Sequence, residues 1–140
     1  MFHIEIICAG RVKEAHYAAA CAEYIKRLAP YARVTVAEQP EGMPLAFPDD
    51  RAYTVALCIE GEMLSSQAFA DELWRLADGG TSRFRFLIGG SDGLCAGDKA
   101  RAQRRISLSP LTFTHAMARV LLLEQLYRAA MIRAGTKYHK

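Results

Sequence analysis

The residues best suited to approach a ligand form a glycine-rich run that directly follows an apolar segment. Residues 84–88 have the apolar and aromatic character of a buried strand, and residues 89–93 read Gly-Gly-Ser-Asp-Gly. Because glycine has no Cβ and accepts positive φ, such a backbone can lie close to a ligand. The run is neither a G-x-G-x-x-G fingerprint nor a phosphate loop, since no Gly-Lys-Ser/Thr follows. By itself it fits a ligand loop and a purely geometric turn equally well.

A second loop with ligand-binding character follows shortly downstream. Residues 106–113 read Ile-Ser-Leu-Ser-Pro-Leu-Thr-Phe, whose proline and hydroxyl side chains indicate a loop after a short strand. Its backbone N–H and C=O groups could contact the same ligand as the glycines. Leu57 ends an earlier apolar run and, from the residues alone, is interpreted as a core side chain.

Titratable side chains follow this loop on the last predicted helix. His115 begins the helix and has three possible roles: it caps the helix, contacts RNA phosphate, or packs as a satisfied polar residue. Arg119 and Arg128 are nine residues apart and therefore project from the same side of a helix. Glu124 lies between them in sequence and could pair with either one.

An aromatic residue and an imidazole stand in the polar tail, as Tyr138 and His139. A tail of this kind frays unless something holds it. The pair therefore predicts docking into a site, either within the chain or across a subunit boundary.

The charges are distributed unevenly along the chain. Residues 1–98 carry nine basic and fourteen acidic side chains, a net charge of −5, whereas residues 99–140 carry nine basic side chains and Glu124 alone, a net charge of +8. This asymmetry favours contact between the C-terminal part and a polyanion such as nucleic acid. The alternative is a solvated helix face that is basic without binding anything.

The four cysteines are widely separated and lack the spacing of a metal site. We interpret Cys8, Cys21, Cys58 and Cys95 as small apolar side chains, with Cys8 and Cys58 inside buried strands, and expect neither zinc nor disulfides. The 140 residues fit one domain, 1–140. No apolar run reaches the roughly 20 residues that span a bilayer, and the opening residues do not resemble a signal peptide, so we expect a cytoplasmic protein without membrane contact.

Strand-like and helix-like segments alternate along the chain. The predicted strands are 2–8, 33–38, 53–59, 84–88 and 106–108, and the predicted helices are 13–29, 65–78, 96–105 and 116–134. Such alternation predicts an α/β fold with a mainly parallel sheet and helices on both faces. Ligands of such sheets bind at the carboxyl ends of the strands, where Gly10, Gly61, Gly89-Gly90 and Pro110 are expected to converge.

Four ordered motifs resemble the RlmH family of the SPOUT class of methyltransferases. They are Leu-Ile-Gly-Gly-x-x-Gly-Leu at 87–94, Ser-Leu-Ser-Pro-Leu-Thr-Phe-x-His at 107–115, Arg-Val-Leu-Leu-Leu-Glu-Gln-Leu-Tyr-Arg-Ala at 119–129 and Tyr-His at 138–139. The similarity covers the whole chain and extends to Leu-Cys-Ile-Glu-Gly at 57–61. Ser91-Asp92 and Thr114 depart from the Pro-Glu and the proline frequent in the family, and the loop around 40–52 is short.

The resemblance implies an enzyme that uses S-adenosylmethionine to methylate N3 of a pseudouridine in large-subunit ribosomal RNA on assembled ribosomes. It also implies a C-terminal trefoil knot and a homodimer with composite sites. A non-catalytic ribosome-binding module on the same fold is the alternative. A phosphate-hydrolysing nucleotide enzyme ranks third, because the chain has no recognisable phosphate loop.

The resemblance also implies roles for individual residues of this sequence. Arg128, His139 and Tyr138 are the catalytic candidates: His139 as base or hydrogen-bond partner, Arg128 as stabiliser of developing negative charge, and Tyr138 in placing RNA or the tail. His115 and Arg119 are the RNA-binding candidates. The residues expected to hold the cofactor are Leu57, Gly89, Gly90, Leu108, Ser109, Pro110, Leu111, Thr112 and Phe113.

Overall fold

The computed structural model describes residues 2–140 as five strands and four helices. The strands are β1 (Phe2–Ala9), β2 (Ala32–Gln39), β3 (Tyr53–Met63), β4 (Arg83–Ile88) and β5 (Arg104–Ser107). The helices are α1 (Ala15–Leu28), α2 (Ser66–Asp78), α3 (Ala96–Arg101) and α4 (His115–Ala134). Among these described residues, no helix combines the length and the apolar character needed to cross a bilayer.

All five strands join one sheet in the order β2-β1-β4-β3-β5, and every pairing is parallel. Parallel neighbours need crossovers, which is why helices alternate with strands along the chain. This confirms the predicted α/β class. A parallel sheet also places the ends of β1, β4, β3 and β5 along one edge, so residues far apart in sequence meet there.

The two faces of the sheet are covered differently. On one face, Ile6, Phe86 and their neighbours pack against the three longer helices α1, α2 and α4 in the main core. On the other face, Ile7 and Leu87 pack against Leu45 in a smaller cluster, which Phe47 and Ala102 border. Helix α3 and the extended segment 40–52 therefore take the place of long helices on this second face.

A buried arginine fastens segment 40–52 to the second face. The Arg85 side chain is 2% exposed and pairs with Asp50 at 2.8 Å and with Glu5. Phe47 lies against the guanidinium groups of both Arg85 and Arg101. A buried guanidinium needs such partners, because leaving a buried charge unpaired is costly.

Strand β3 is longer than predicted, and Gly61 lies within it instead of closing it. The pairing of β3 with β5 jumps from Leu57 to Glu62, so the intervening residues bulge. A Cβ on Gly61 would lie 2.5 Å from the backbone carbon of Ile106. The glycine is therefore needed for close packing of the two strands.

Helix α3 is shorter than predicted, and Arg104 and Arg105 lie in β5. The backbone N–H of Gln103 donates to the Thr54 carbonyl, and the Gln103 side chain accepts the Thr54 N–H. These bonds turn the chain into the sheet after Ala102. Long-range pairing with β3 thus prevails over the local helical pattern.

The ends of α4 carry ordinary capping groups. Thr114 Oγ1 accepts the Met117 N–H at 3.3 Å, and Gly135 ends the helix with φ of +72°. Thr114 is thus the cap, which excludes that role for His115. The trefoil knot stays a prediction.

Candidate functional site

The glycine-rich loop is a tight turn whose glycines have different roles. The Gly93 N–H donates to the Gly90 carbonyl at 3.0 Å, and Gly93 has φ of +76°. A Cβ on Gly89 would lie 2.3 Å from the Gly93 carbonyl carbon, so Gly89 permits the turn itself. At Gly90 the neighbour is instead the carboxylate of Glu41. Gly90 therefore makes room for a side chain, not for the backbone.

Glu41 reaches the glycine-rich loop from segment 40–52. Its Oε1 accepts the Ser91 N–H at 3.1 Å, and its Cγ and Cδ lie 3.3 Å from the position of a Cβ on Gly10. His115 Cε1 lies 3.4 Å from the same position. From the sequence this segment is predicted only to be a loop. The available signal was an acidic residue in a Pro-Glu-Gly turn, which does not by itself indicate a site.

Arg119 is buried beside Gly10 and is paired with Glu38. Its Nη1 donates to Glu38 Oε2 at 2.8 Å, and this bond holds the pKa of Glu38 below its usual value. The Val12 N–H donates to the same carboxylate. Arg119 is only 5% exposed, so its guanidinium belongs to the interior wall of the edge.

Two nitrogen atoms in this region lack hydrogen-bond partners. Within residues 2–140, His115 Nδ1 and Arg119 Nε are the buried side-chain atoms without one. Buried polar groups are normally satisfied, and an exception calls for an explanation such as a ligand. The edge formed by Gly10, Glu41 and Gly90 thus has unused hydrogen-bonding capacity beside it.

The catalytic candidates lie together at the other end of α4. Arg128 Nη2 binds Glu124 Oε1 at 2.8 Å, and Arg128 Nη1 lies 3.0 Å from His139 Nδ1. The Arg128 guanidinium also stacks 4.8 Å from the centre of the Tyr138 ring, which packs edge-on against Tyr127. The tail is therefore docked within its own chain.

The Arg128 contact fixes the tautomer of His139. Arginine can only donate, so His139 Nδ1 accepts and the ring proton lies on Nε2. The hydrogen bond that Arg128 donates to Glu124 raises the pKa of Arg128 above its ordinary value, and burial raises the pKa of Tyr138. The group thus presents a permanent cation, a phenol hydroxyl and an imidazole N–H donor.

A cavity of about 270 Å³ opens between α2, α4 and the loop after β5. Leu108 and Phe113 line it together with the Ser66–Gln125 pair, which is joined by a 2.6 Å hydrogen bond. Ser109 shapes the loop, since its carbonyl accepts the Ser107 hydroxyl and its own hydroxyl accepts the Leu111 N–H. The walls are mainly apolar, with a few convergent polar groups, as in small-molecule sites.

The whole chain matches one family model. Residues 2–139 match the model described as "Predicted SPOUT methyltransferase". The chain belongs to the SPOUT methyltransferases. The ribosomal RNA large subunit methyltransferase H of Listeria monocytogenes is 40% identical to it over 159 aligned positions, covering 99% of each chain. The protein of the same name from Moorella thermoacetica is 39% identical over 161 positions, with all of both chains covered.

A solved structure supports the fold of this SPOUT methyltransferase independently. TrmJ from Z. mobilis ZM4 superposes with a TM-score of 0.56 at 16% identity, covering 92% of this chain and 70% of that one. At this level of identity the likeness concerns the fold.

The sheet brings three of the segments predicted to hold the cofactor to one edge. Leu57 pairs with Ile88, which Gly89 and Gly90 follow, and Leu57 also pairs with Ile106 shortly before Leu108. Pro110, Leu111 and Thr112 are exposed in the loop between Ser109 and Phe113. Leu57 itself is half-buried against the main core, so its position fits both interpretations given from sequence.

The remaining candidates divide between the two ends of α4. His115 and Arg119 lie beside Gly10, whereas Arg128, Tyr138 and His139 form their own group. Thirteen helical residues separate His115 from Arg128, which corresponds to about 20 Å along the axis. One chain therefore does not bring its catalytic candidates to its own glycine-rich loop.

The predicted interpretation of the cysteines needs one adjustment. Cys8 and Cys21 are buried, but Cys58 is only half-buried and Cys95 is exposed, and all four are free thiols. Within residues 2–140 no group of three His, Cys, Asp or Glu side chains is placed to hold a metal ion.

Most of the basic side chains responsible for the charge asymmetry form ion pairs within the chain. Six of the nine basic side chains in residues 99–140 have acidic partners within 4.0 Å, and five of these six pair with acids of residues 1–98, among them Glu60, Asp49, Glu38 and Asp78. Arg104 has both Glu62 and Glu72 as partners, and Arg128 has Glu124. The asymmetry thus supports a polyanion partner less strongly than it did in the sequence.

Proposed function

We propose that this SPOUT methyltransferase methylates N3 of a pseudouridine in large-subunit ribosomal RNA, using S-adenosylmethionine and acting on assembled ribosomes. The observation that carries the proposal is the convergence of the Leu57, Gly89-Gly90 and Leu108 segments at one sheet edge, in a chain about 40% identical to proteins named ribosomal RNA large subunit methyltransferase H.

The residues at this edge fit S-adenosylmethionine. The cavity bounded by Leu108 and Phe113 offers apolar walls for an adenine ring, and the Ser66–Gln125 pair offers polar atoms at its side. Gly89, Gly90 and the loop 108–113 would hold the cofactor mainly through backbone groups. S-adenosylmethionine supplies, when bound, a methyl group on a positively charged sulfur. Positioning of the acceptor should therefore contribute most of the catalysis.

The docked tail supplies groups suited to the acceptor base. N3 of the acceptor carries a hydrogen and becomes negatively charged when it loses it. His139 Nε2–H and the Arg128 guanidinium are donors that would stabilise this charge on the neighbouring carbonyl oxygens. Because His139 Nδ1 is engaged with Arg128, the geometry favours the imidazole as a hydrogen-bond partner over its role as a base.

Two subunits would be needed to complete each site. The tail group lies about 20 Å from His115 along α4, so a partner's tail would have to reach the glycine-rich loop. Ile59 and Met63 of β3 and Leu111 of the loop that follows β5 are large apolar side chains that are 56%, 61% and 71% exposed. Their burial in a homodimer would remove this apolar surface from water.

Transfer of a labelled methyl group to intact ribosomes that lack the modification tests the proposal. Label recovered in N3-methylpseudouridine is the expected result, and sedimentation of the enzyme as a dimer should accompany it. Ribosome binding without label transfer would instead indicate the non-catalytic module.

A further inference from the structure

Glu41 occupies a position between the two predicted binding regions. Its carboxylate contacts Gly90 and Ser91 of the predicted cofactor loop. Its stem contacts Gly10, against which His115 also packs and whose carbonyl faces Arg119 at 3.5 Å. A group held between the cofactor loop and the RNA-binding candidates is placed to touch the base that receives the methyl group.

The chain fixes this carboxylate in place from both sides. The Gln39 side chain makes two hydrogen bonds with the backbone of Ala46, at 2.7 and 2.8 Å, and so closes the segment that bears Glu41. The Leu45 N–H donates to Asp98 at 3.0 Å. The Ser91 N–H binds Oε1 of this exposed residue, so its Oε2 is left as an acceptor. A preorganised acceptor loses little entropy when a ligand binds.

We propose that Glu41 is a specificity-determining residue that accepts the N1–H of the target pseudouridine through its free carboxylate oxygen. This inference rests on the proposed function. Pseudouridine is joined to its ribose through carbon, so its N1 carries a hydrogen, whereas N1 of uridine is bonded to the sugar. An acceptor at this point therefore distinguishes the two nucleosides by a hydrogen bond that only one of them can donate.

The chemistry of the reaction favours N1–H over N3–H as the partner of Glu41. N3 must lose its proton and face the methyl donor, and a carboxylate held beside it would oppose the negative charge that forms there. N1 keeps its proton throughout, so the same hydrogen bond persists from substrate to product.

Gly90 is part of the same arrangement. A Cβ at this position would lie 2.1 Å from Glu41 Oε1, so any larger residue would displace the carboxylate. Gly90, which the sequence predicts to be a cofactor-loop residue, thus also provides the space for the Glu41 side chain.

The test compares two ribosome preparations that carry either pseudouridine or uridine at the methylated position. We expect the wild-type enzyme to prefer pseudouridine. Glu41→Gln should lower kcat/KM on pseudouridine ribosomes roughly tenfold to hundredfold, whereas kcat/KM on uridine ribosomes should not change. Glutamine keeps the size of the side chain, and an exposed loop position should leave the Tm unchanged. Calorimetric affinity for S-adenosylmethionine should also be unchanged.

Glu14→Gln is the matched control. Glu14 is an exposed acid at the start of α1, near the same edge, and its side chain makes no capping hydrogen bond. It should behave as the wild type on both preparations. The inference is overturned if Glu41→Gln retains the wild-type preference, loses activity equally on both preparations, or loses cofactor affinity. If the wild-type enzyme transfers no methyl group to either preparation, the proposed function fails and this inference fails with it.

Discussion

The two ends of α4 show two different ways of placing arginines. At the N-terminal end, Arg119 is 5% exposed, is held by Glu38 from β2, and keeps an unpartnered Nε beside His115. At the C-terminal end, Arg128 is bound by Glu124 one turn earlier and by the tail that follows. The first arrangement depends on distant strands, and the second depends on neighbours in sequence.

The difference explains why each end suits a different task. A buried guanidinium fixed by the sheet can define the wall of a binding edge, but it has little freedom to follow a substrate. A guanidinium on a partly exposed helix face, covered by a tail, can be presented to another molecule. The catalytic candidates thus belong to the more accessible end.

The largest expected effect is on turnover at the C-terminal end. Arg128→Ala should lower the rate of methyl transfer to ribosomes by about 100-fold or more, because a donor to the developing charge is lost. Cofactor affinity measured by calorimetry should hardly change. Arg133→Ala is the control, since it removes an exposed arginine from the same helix that pairs with Asp78. Normal methylation by the Arg128 variant would contradict the assignment of this end to catalysis.

The next largest effect is on stability, and it should fall on the other end. Glu38→Gln leaves the Arg119 side chain, 6% exposed, without its charged partner and should lower the free energy of unfolding by about 2 kcal/mol. In the Glu124→Gln variant, Arg128, whose side chain is 25% exposed, still contacts water and His139. The free energy of unfolding should therefore fall by less than about 1 kcal/mol. Urea unfolding of both variants measures the difference. Equal losses of unfolding free energy in the two variants would contradict the distinction between the two ends of α4.

Acid should weaken the Arg119 end through Glu38. The hydrogen bond from Arg119 lowers the pKa of Glu38 in the folded protein, so the folded state binds this proton less readily than the unfolded chain. The resulting stability is present above the unfolded pKa and disappears as the pH falls through the lowered one. The difference in urea midpoint between wild type and Glu38→Gln should therefore shrink as the pH is lowered from 7 towards 3. A constant difference would assign the stabilisation to packing.

The smallest effect concerns local opening near Arg119. Burial raises the pKa of Cys8 to about 11, and this thiol lies near Arg119. In the native protein at neutral pH, a thiol reagent should modify the exposed Cys95 rapidly and Cys8 only on unfolding. Mass spectrometry of the modified peptides measures both rates. Rapid modification of Cys8 would show that the Arg119 end opens readily.

Much of the fold was predictable because its signals are local. The apolar run at 84–88 and the end of the last helix at residue 134 each depend on a few neighbouring residues, and the structure confirms them. The errors occur where distant pairing decides. Strand β3 extends past Gly61 because β5 packs on it, and α3 ends early because Gln103 pairs with Thr54.

The candidate site divides in the same way. Pairing of Glu124 with one of the two arginines could be anticipated from their spacing along α4, whereas the contact of the tail with Arg128 required the folded structure. The roles of Glu38 and Glu41 could not be anticipated, because their partners lie 81 and 50 residues away. No local pattern marks either acid.

The sequence by itself determined the order of the strands and helices, the glycine-rich turn and the family, because these depend on residue types and their order. Tertiary structure decided which charges meet. It paired most of the basic C-terminal side chains with acids, brought Glu41 to Gly90, and kept the tail apart from the glycine-rich loop of the same chain. The physical reason is that a parallel sheet aligns strand ends that are distant in sequence, whereas a helix keeps its own neighbours together.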